Sequence, residues 1–199
     1  LFLYYLKTRR FRNLVVCFSC LLCLGIYHTV MRWYDRPCPS LVFYNVRGCP
    51  AIHCIAEDGT SWLNYADTLS DKRRLQAVAA NYWRRHQLLP PIEVTADCQN
   101  VDFCRHQQIV FYHGCRICMV TDNRWRNKSA ASPLFINYMY LCKGYNGRLE
   151  ELTGLFSPSC ILLDASLSDD RKQFFREECK RLHLHFITLS EEGSVRFLL

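Results

Sequence analysis

The chain has 199 residues, half of them hydrophobic, with 8 glycines, 7 prolines, 13 cysteines and a formal charge of +7. That apolar content suffices for a packed core and excludes a disordered or collagen-like chain, and the length fits one domain plus an attachment. The basic excess lies in short clusters, "KTRRFR", "DKRR", "WRRH" and "RWRNK", which suit solvated faces or an anionic partner such as DNA or lipid headgroups.

Residues 14–31, "LVVCFSCLLCLGIYHTVM", carry no charge, and the run predicts a transmembrane helix. Ser19 and Thr29 can bond back to their own helix carbonyls. His28 sits near the end, where Arg32, Trp33 and Tyr34 mark an interface. The run exceeds the apolar core of a signal peptide. Lys7, Arg9, Arg10 and Arg12 precede it, against Arg32 and Arg36 beyond it, so the positive-inside bias places the first loop in the cytoplasm and everything after Trp33 outside. The opening "LFLYYL" reads as the tail of an earlier membrane helix. The expectation is therefore the C-terminal piece of a longer multi-pass inner-membrane protein, with 1–36 as the end of a helix bundle and 37–199 as a domain on the periplasmic side.

Past the linker "DRPCPS", the segments "LVFYNV" and "AIHCIAEDGTSWLNYAD" read as three strands, the last two joined at Asp58-Gly59. "DKRRLQAVAANYWRRHQL" places Leu75, Val78, Ala79, Tyr82 and Trp83 at helical spacing and stops at Pro90-Pro91. "PIEVTAD", "QIVFYHG", "RICMVTD" and "INYMYLC" are further strands. The helix "RLEELTGLF", the strand "CILLDAS", the helix "SDDRKQFFREECKRL" and the closing strands "HFITLS" and "VRFLL" around Glu192-Gly193 follow. Strands come first and strand-helix alternation last, which suits an α/β (α+β) fold with helices packed outside sheets.

Cys17, Cys20 and Cys23 are packing residues of the apolar run. The ten remaining cysteines lie in the domain placed outside the cytoplasm, where some are expected to be oxidised. Cys115-Arg-Ile-Cys118, with His113 and His106 upstream, lacks the second ligand pair of a structural zinc site and does not open a helix as a redox motif does. His53, His86, His113, His183 and His185 each have an ordinary structural place.

The order of "VFYNVRGCPAIHCIAEDGTSWLNYAD", a strand ending in "VTD", "YMYLCKGYNGR", "ILLDASLSDD" and "HFITLSEEGSVRFLL" resembles the C-terminal metallo-β-lactamase-like domain of the ComEC family of DNA-uptake channel proteins. The resemblance covers most of 41–199 and implies an αββα sandwich. The family's metal site rests on a His-x-His-x-Asp-His loop, because Zn²⁺ or Mn²⁺ must be held while its bound water becomes nucleophilic. No such loop occurs here. Asp122 alone matches a ligand position, that of the metal-bridging aspartate, and where a later histidine would fall the turn "KGYNGR" offers Lys143, Tyr145 and Asn146. Gly144 and Gly147 keep the backbone of that turn.

The resemblance implies a degenerate, non-catalytic domain without cofactor, in a channel that passes single-stranded DNA across the inner membrane during natural transformation, with the other membrane helices of the same chain as partners. Arg124, Trp125, Arg126 and Lys128 are the candidate DNA contacts, cations for phosphates beside an aromatic plane for a base. Two other readings stay open at this point: an active metal-dependent hydrolase or nuclease using Asp122, His106, His113 and a cysteine, and a membrane-tethered interaction domain with no nucleic-acid role.

Overall fold

The computed structural model describes residues 11–34, 38–65, 69–86 and 88–199. The opening apolar run, Lys7, Arg9, Arg10 and the first half of the linker lie outside these. The chain divides into two units, Leu1–Arg36 and Pro37–Leu199.

In the first unit, α1 (Phe11–Tyr34) is a continuous helix. Thr29 donates its hydroxyl to the Gly25 carbonyl at 2.8 Å, the internal satisfaction a hydroxyl needs on an apolar helix. Phe18, Leu22 and Leu24 are exposed. The membrane crossing expected at 14–31 falls within this helix; among the described residues no helix is long and apolar enough to cross a membrane.

The second unit is α+β. One sheet begins with the antiparallel strands β1 (Ser40–Phe43), β2 (Ala51–Ile55) and β3 (Ser61–Tyr65), with Phe43 opposite Ile52 and His53 opposite Leu63. The β2–β3 turn closes on Gly59 at φ +84°, with the Asp58 carboxylate accepting from Thr60 N at 2.8 Å. Strand β4 (Ile92–Val94) joins β3 in parallel, and β12 (Val195–Leu198) joins β1 antiparallel, giving the order β12-β1-β2-β3-β4.

The other sheet holds seven strands: β5 (Cys98–Gln99), β6 (Phe103–His106), β7 (Ile109–Tyr112), β8 (Cys115–Val120), β9 (Leu134–Leu141), β10 (Phe156–Leu163) and β11 (Phe186–Thr188). Their order is β11-β10-β9-β8-β7-β6-β5, and β8 through β11 run parallel.

Strand alternation assigns each sheet two buried faces. Leu41, Phe43, Ile52, Cys54 and Trp62 of the first sheet meet Ile117, Met119, Tyr140 and Leu162 of the second in one inter-sheet core. On the outer face of the first sheet, Val42, Tyr44, Ala51 and Leu63 pack with Leu75 and Ala79 of α2 (Leu69–Arg85). On the outer face of the second, Cys118, Val120, Met139, Ile161 and Leu163 pack with Leu149 and Leu152 of α3 (Leu149–Thr153) and with Phe175 and Cys179 of α4 (Asp169–Arg181). The layers are therefore helix, sheet, sheet, helix, as expected, each large buried side chain contributing roughly 1.5–3 kcal/mol.

Several expectations need correction. Val78 is 48% exposed rather than on the inner face of α2. The helix expected over "RLEELTGLF" ends at Thr153, because Leu155 N turns back to Leu152 O and Phe156 already belongs to β10. The closing strands are not partners. They lie in different sheets, linked by the short helix α5 (Leu189–Glu192). The β5–β6 hairpin was not foreseen. Cys49 aside, the other twelve cysteines are free thiols, five of them buried, so the expected oxidation is not seen among these twelve.

Candidate functional site

Strands β8, β9 and β10 are parallel neighbours, so their carboxyl ends open on one side, the side where open α/β sheets bind ligands. There the chain presents Thr121-Asp122, the turn 142–148 and the turn 164–168. Asn123 Oδ1 accepts from Asn146 N at 2.8 Å, and Ser166 Oγ accepts from Lys143 N at 3.1 Å, so the three loops are stitched together. Beneath them Asp164 is fully buried, accepting from the Tyr140 hydroxyl and, at 2.7 Å, from Ser166 N. Burial raises its pKa, opposed by those hydrogen bonds.

Asp122 is half-exposed and engaged by Arg124. Its Oδ1 accepts from Arg124 N at 2.9 Å and Nε at 3.0 Å, and its Oδ2 accepts from Arg124 Nη2 at 2.8 Å. The Arg124 hydrogen bond holds the carboxyl below the usual range, a fork geometry that engages both oxygens. Tyr145 does not face the site as a ligand. It is buried, donates its hydroxyl to Arg148 O at 2.7 Å and stacks 6.2 Å from Phe175. Among the described residues no group of three or more His, Cys, Asp or Glu side chains is placed to hold a metal.

The ligand set of the hydrolase reading is dispersed. His113 lies before the start of β8 and Asp122 beyond its end, a strand's length apart. His106 pairs with Asp97 at 3.1 Å. Cys115 and Cys118 stand three apart on one strand and so point to opposite faces: Cys118 packs under the helices and Cys115 against the inter-sheet core.

The loop carrying Arg124, Trp125, Arg126 and Lys128 is one surface, with partners of its own. Arg126 pairs with Glu151 at 3.5 Å, and the Lys128 ammonium lies 5.4 Å from the Trp125 ring centre. Trp125 is half-buried, donating Nε1 to Gln108 Oε1 at 2.6 Å and meeting Phe156 edge-on at 5.1 Å. Trp125→Ala is therefore expected to lower the unfolding free energy by about 2 kcal/mol, below the 3–5 of a fully buried tryptophan, and to leave Gln108 without its donor. A urea midpoint equal to that of the unaltered protein would show that the ring packs on nothing.

A cleft of about 510 Å³ opens beside Asp122, lined by Arg47 and Gly48 from the first sheet's loop, Arg74 of α2, the 143–146 turn, and the 166–168 turn with Arg171 of α4. Among the described residues, every charged side chain lining it is basic. Lys143 lies in the turn singled out from sequence. Arg74 belongs to the "DKRR" cluster noted as basic, whereas Arg47 and Arg171 were missed, because they come from separate segments with no shared motif and only the fold brings them together.

Residues 41–199 match the family model described as the ComEC C-terminal domain. No curated protein and no solved structure matches the chain. The match spans the whole two-sheet unit from β1 to the last residue, and ComEC proteins are membrane-associated. The chain belongs to the ComEC family, and it is a ComEC-like DNA-uptake protein.

Proposed function

We propose that residues 37–199 form a degenerate metallo-β-lactamase-like domain, a non-catalytic, periplasmic part of a multi-pass inner-membrane channel that passes single-stranded DNA during natural transformation. The observation that supports this best is the forked bond from Arg124 to both oxygens of Asp122. A metal-bridging carboxylate must offer its lone pairs to the ion, and here an arginine of the same loop takes them. The turn where a histidine ligand would stand carries Tyr145, used in packing, and Asn146. A channel component needs to hold a strand and let it go, which favours cations and exposed backbone over a cutting centre. Arg124, Trp125, Arg126 and Lys128 are proposed as contacts at the rim, with Trp125 bracing the loop and the guanidinium groups and Lys128 facing the strand.

The test is metal content and nuclease activity of the full chain purified in detergent. The expected outcome is no stoichiometric zinc or manganese after dialysis, no degradation of single-stranded DNA, and no change on Asp122→Ala. Stoichiometric metal together with cleavage abolished by Asp122→Ala would overturn the reading.

A further inference from the structure

We propose that the cleft lined by Arg47, Arg74, Lys143 and Arg171 binds phosphate groups directly, without a metal ion, and holds the backbone of a single strand. This rests on the non-catalytic reading above and goes beyond it by naming the site. Among the described residues, no ion pair is formed by Arg74 or Lys143. Arg47 acts on Asp169 only through its field, behind the Lys172 contact at 2.9 Å that holds that carboxylate.

Arg171 is the fixed member. Its Nη2 donates to the carbonyls of Gly147 at 2.9 Å and Tyr145 at 3.3 Å, and its guanidinium lies 4.4 Å from the Phe175 ring centre and 4.8 Å from that of Phe174. Neutral carbonyls and ring faces orient this cation without cancelling its charge. Its Nε is buried with no partner.

Ser166 and Ser168 add hydroxyls. Among the described residues four cations and no carboxylate line one cleft, a concentration of positive potential that draws an anion into the space. The same chemistry would take a phosphodiester of a strand or a free phosphate, and the two are separable.

The experiment is anisotropy of a fluorescent 12-mer of deoxythymidylate with the full chain in detergent, over a range of salt, and calorimetry with inorganic phosphate. Variants are Arg47→Ala with Lys143→Ala, Arg74→Ala alone, and Arg124→Ala with Arg126→Ala for comparison. Arg171 is left intact because it ties the 145–147 backbone. Arg47, Arg74 and Lys143 are exposed, so the cleft variants are expected to keep the unaltered thermal midpoint. The Arg47/Lys143 variant is expected to bind the oligomer at least tenfold more weakly and to flatten the salt slope by about 1.4, two contacts at roughly 0.7 each for a single strand. Loss confined to inorganic phosphate would keep the phosphate site and make its ligand a free anion. Unchanged binding of both probes overturns the proposal. Absence of metal with unchanged binding sinks only the cleft, whereas metal with cleavage sinks the non-catalytic reading whatever the cleft does.

Discussion

Gly144→Ala is expected to destabilise the domain by on the order of 3–5 kcal/mol and to remove the cleft with it. Gly144 sits at φ +113°, and a Cβ built there would lie 2.2 Å from the Thr121 carbonyl oxygen. Two costs add: a conformation that L-residues avoid, about 1–3 kcal/mol, and a clash with backbone at the end of β8 that no rotamer relieves. Gly59 isolates the first cost, because its φ is +84° and nothing lies within 4 Å of its added Cβ. Gly59→Ala should therefore cost only about 1 kcal/mol. At Gly147 the added Cβ meets the Tyr145 hydroxyl at 2.3 Å and its ring at 2.6 Å, a buried side chain held by Arg148 O and Phe175, so that position does not isolate either cost. Urea unfolding should rank Gly144→Ala far above Gly59→Ala. A Gly144→Ala protein as stable as Gly59→Ala would mean that the 143–147 turn does not rest on the Thr121 carbonyl.

That turn also shows how much of the fold is legible in the sequence. A glycine between a strand and a helix is local information, so the residues alone place the turn, its Lys143 and the neighbouring Asp122. The strands of the first sheet and α4 were legible for the same reason. Apolar residues recur at period two or near 3.6, and α4 begins at Ser168, whose hydroxyl accepts from Arg171 N at 3.4 Å.

Pairing partners were not legible. Strand β12 finds β1 across almost the whole domain, with Val195 opposite Phe43, while β11 finds β10. Two strands separated by a glycine turn look like a hairpin, and nothing local says that the chain changes sheets between them. The β5–β6 hairpin escaped because β5 has two residues, too few for a period. Val78 escaped because helical spacing gives a broad face, and the sheet beneath is covered by Leu75, Ala79 and Trp83. At the site, the limit is the same. Arg124 beside Asp122 could be read as a basic cluster, yet that it closes on the carboxylate is geometry. The cleft needs β1's loop, α2 and α4 in register at once.

The domain is expected to lose stability in mild acid through His53. His53 is fully buried on β2, and desolvation lowers its pKa from 6.5 to about 3. Trp83 Nε1, which can only donate, gives its proton to the Tyr44 hydroxyl at 3.0 Å, so that hydroxyl is free to donate to His53 Nδ1 at 2.8 Å. The neutral ring then carries its proton on Nε2, which is buried with no partner. Protonating Nδ1 would remove the acceptor of the Tyr44 hydroxyl and place a charge between the sheet and α2. The folded state therefore stays neutral at a pH where the unfolded chain binds a proton. With the unfolded state holding more protons, stability is complete above about pH 6.5 and falls as pH drops toward 3, by about 1.4 kcal/mol per pH unit. Between pH 6.5 and 5, above the carboxylate range, the loss due to His53 should be about 2 kcal/mol. His86, whose pKa is also lowered, by burial and by Arg196 and Arg85, acts in the same direction, so the measurement is a difference. Urea unfolding of the unaltered protein and of His53→Gln across pH 5–7 should give slopes that differ by roughly one proton. Parallel slopes would show that the imidazole takes up its proton in the folded state, and hence that the Tyr44 and Trp83 contacts do not exclude water from the seam where α2 meets the sheet.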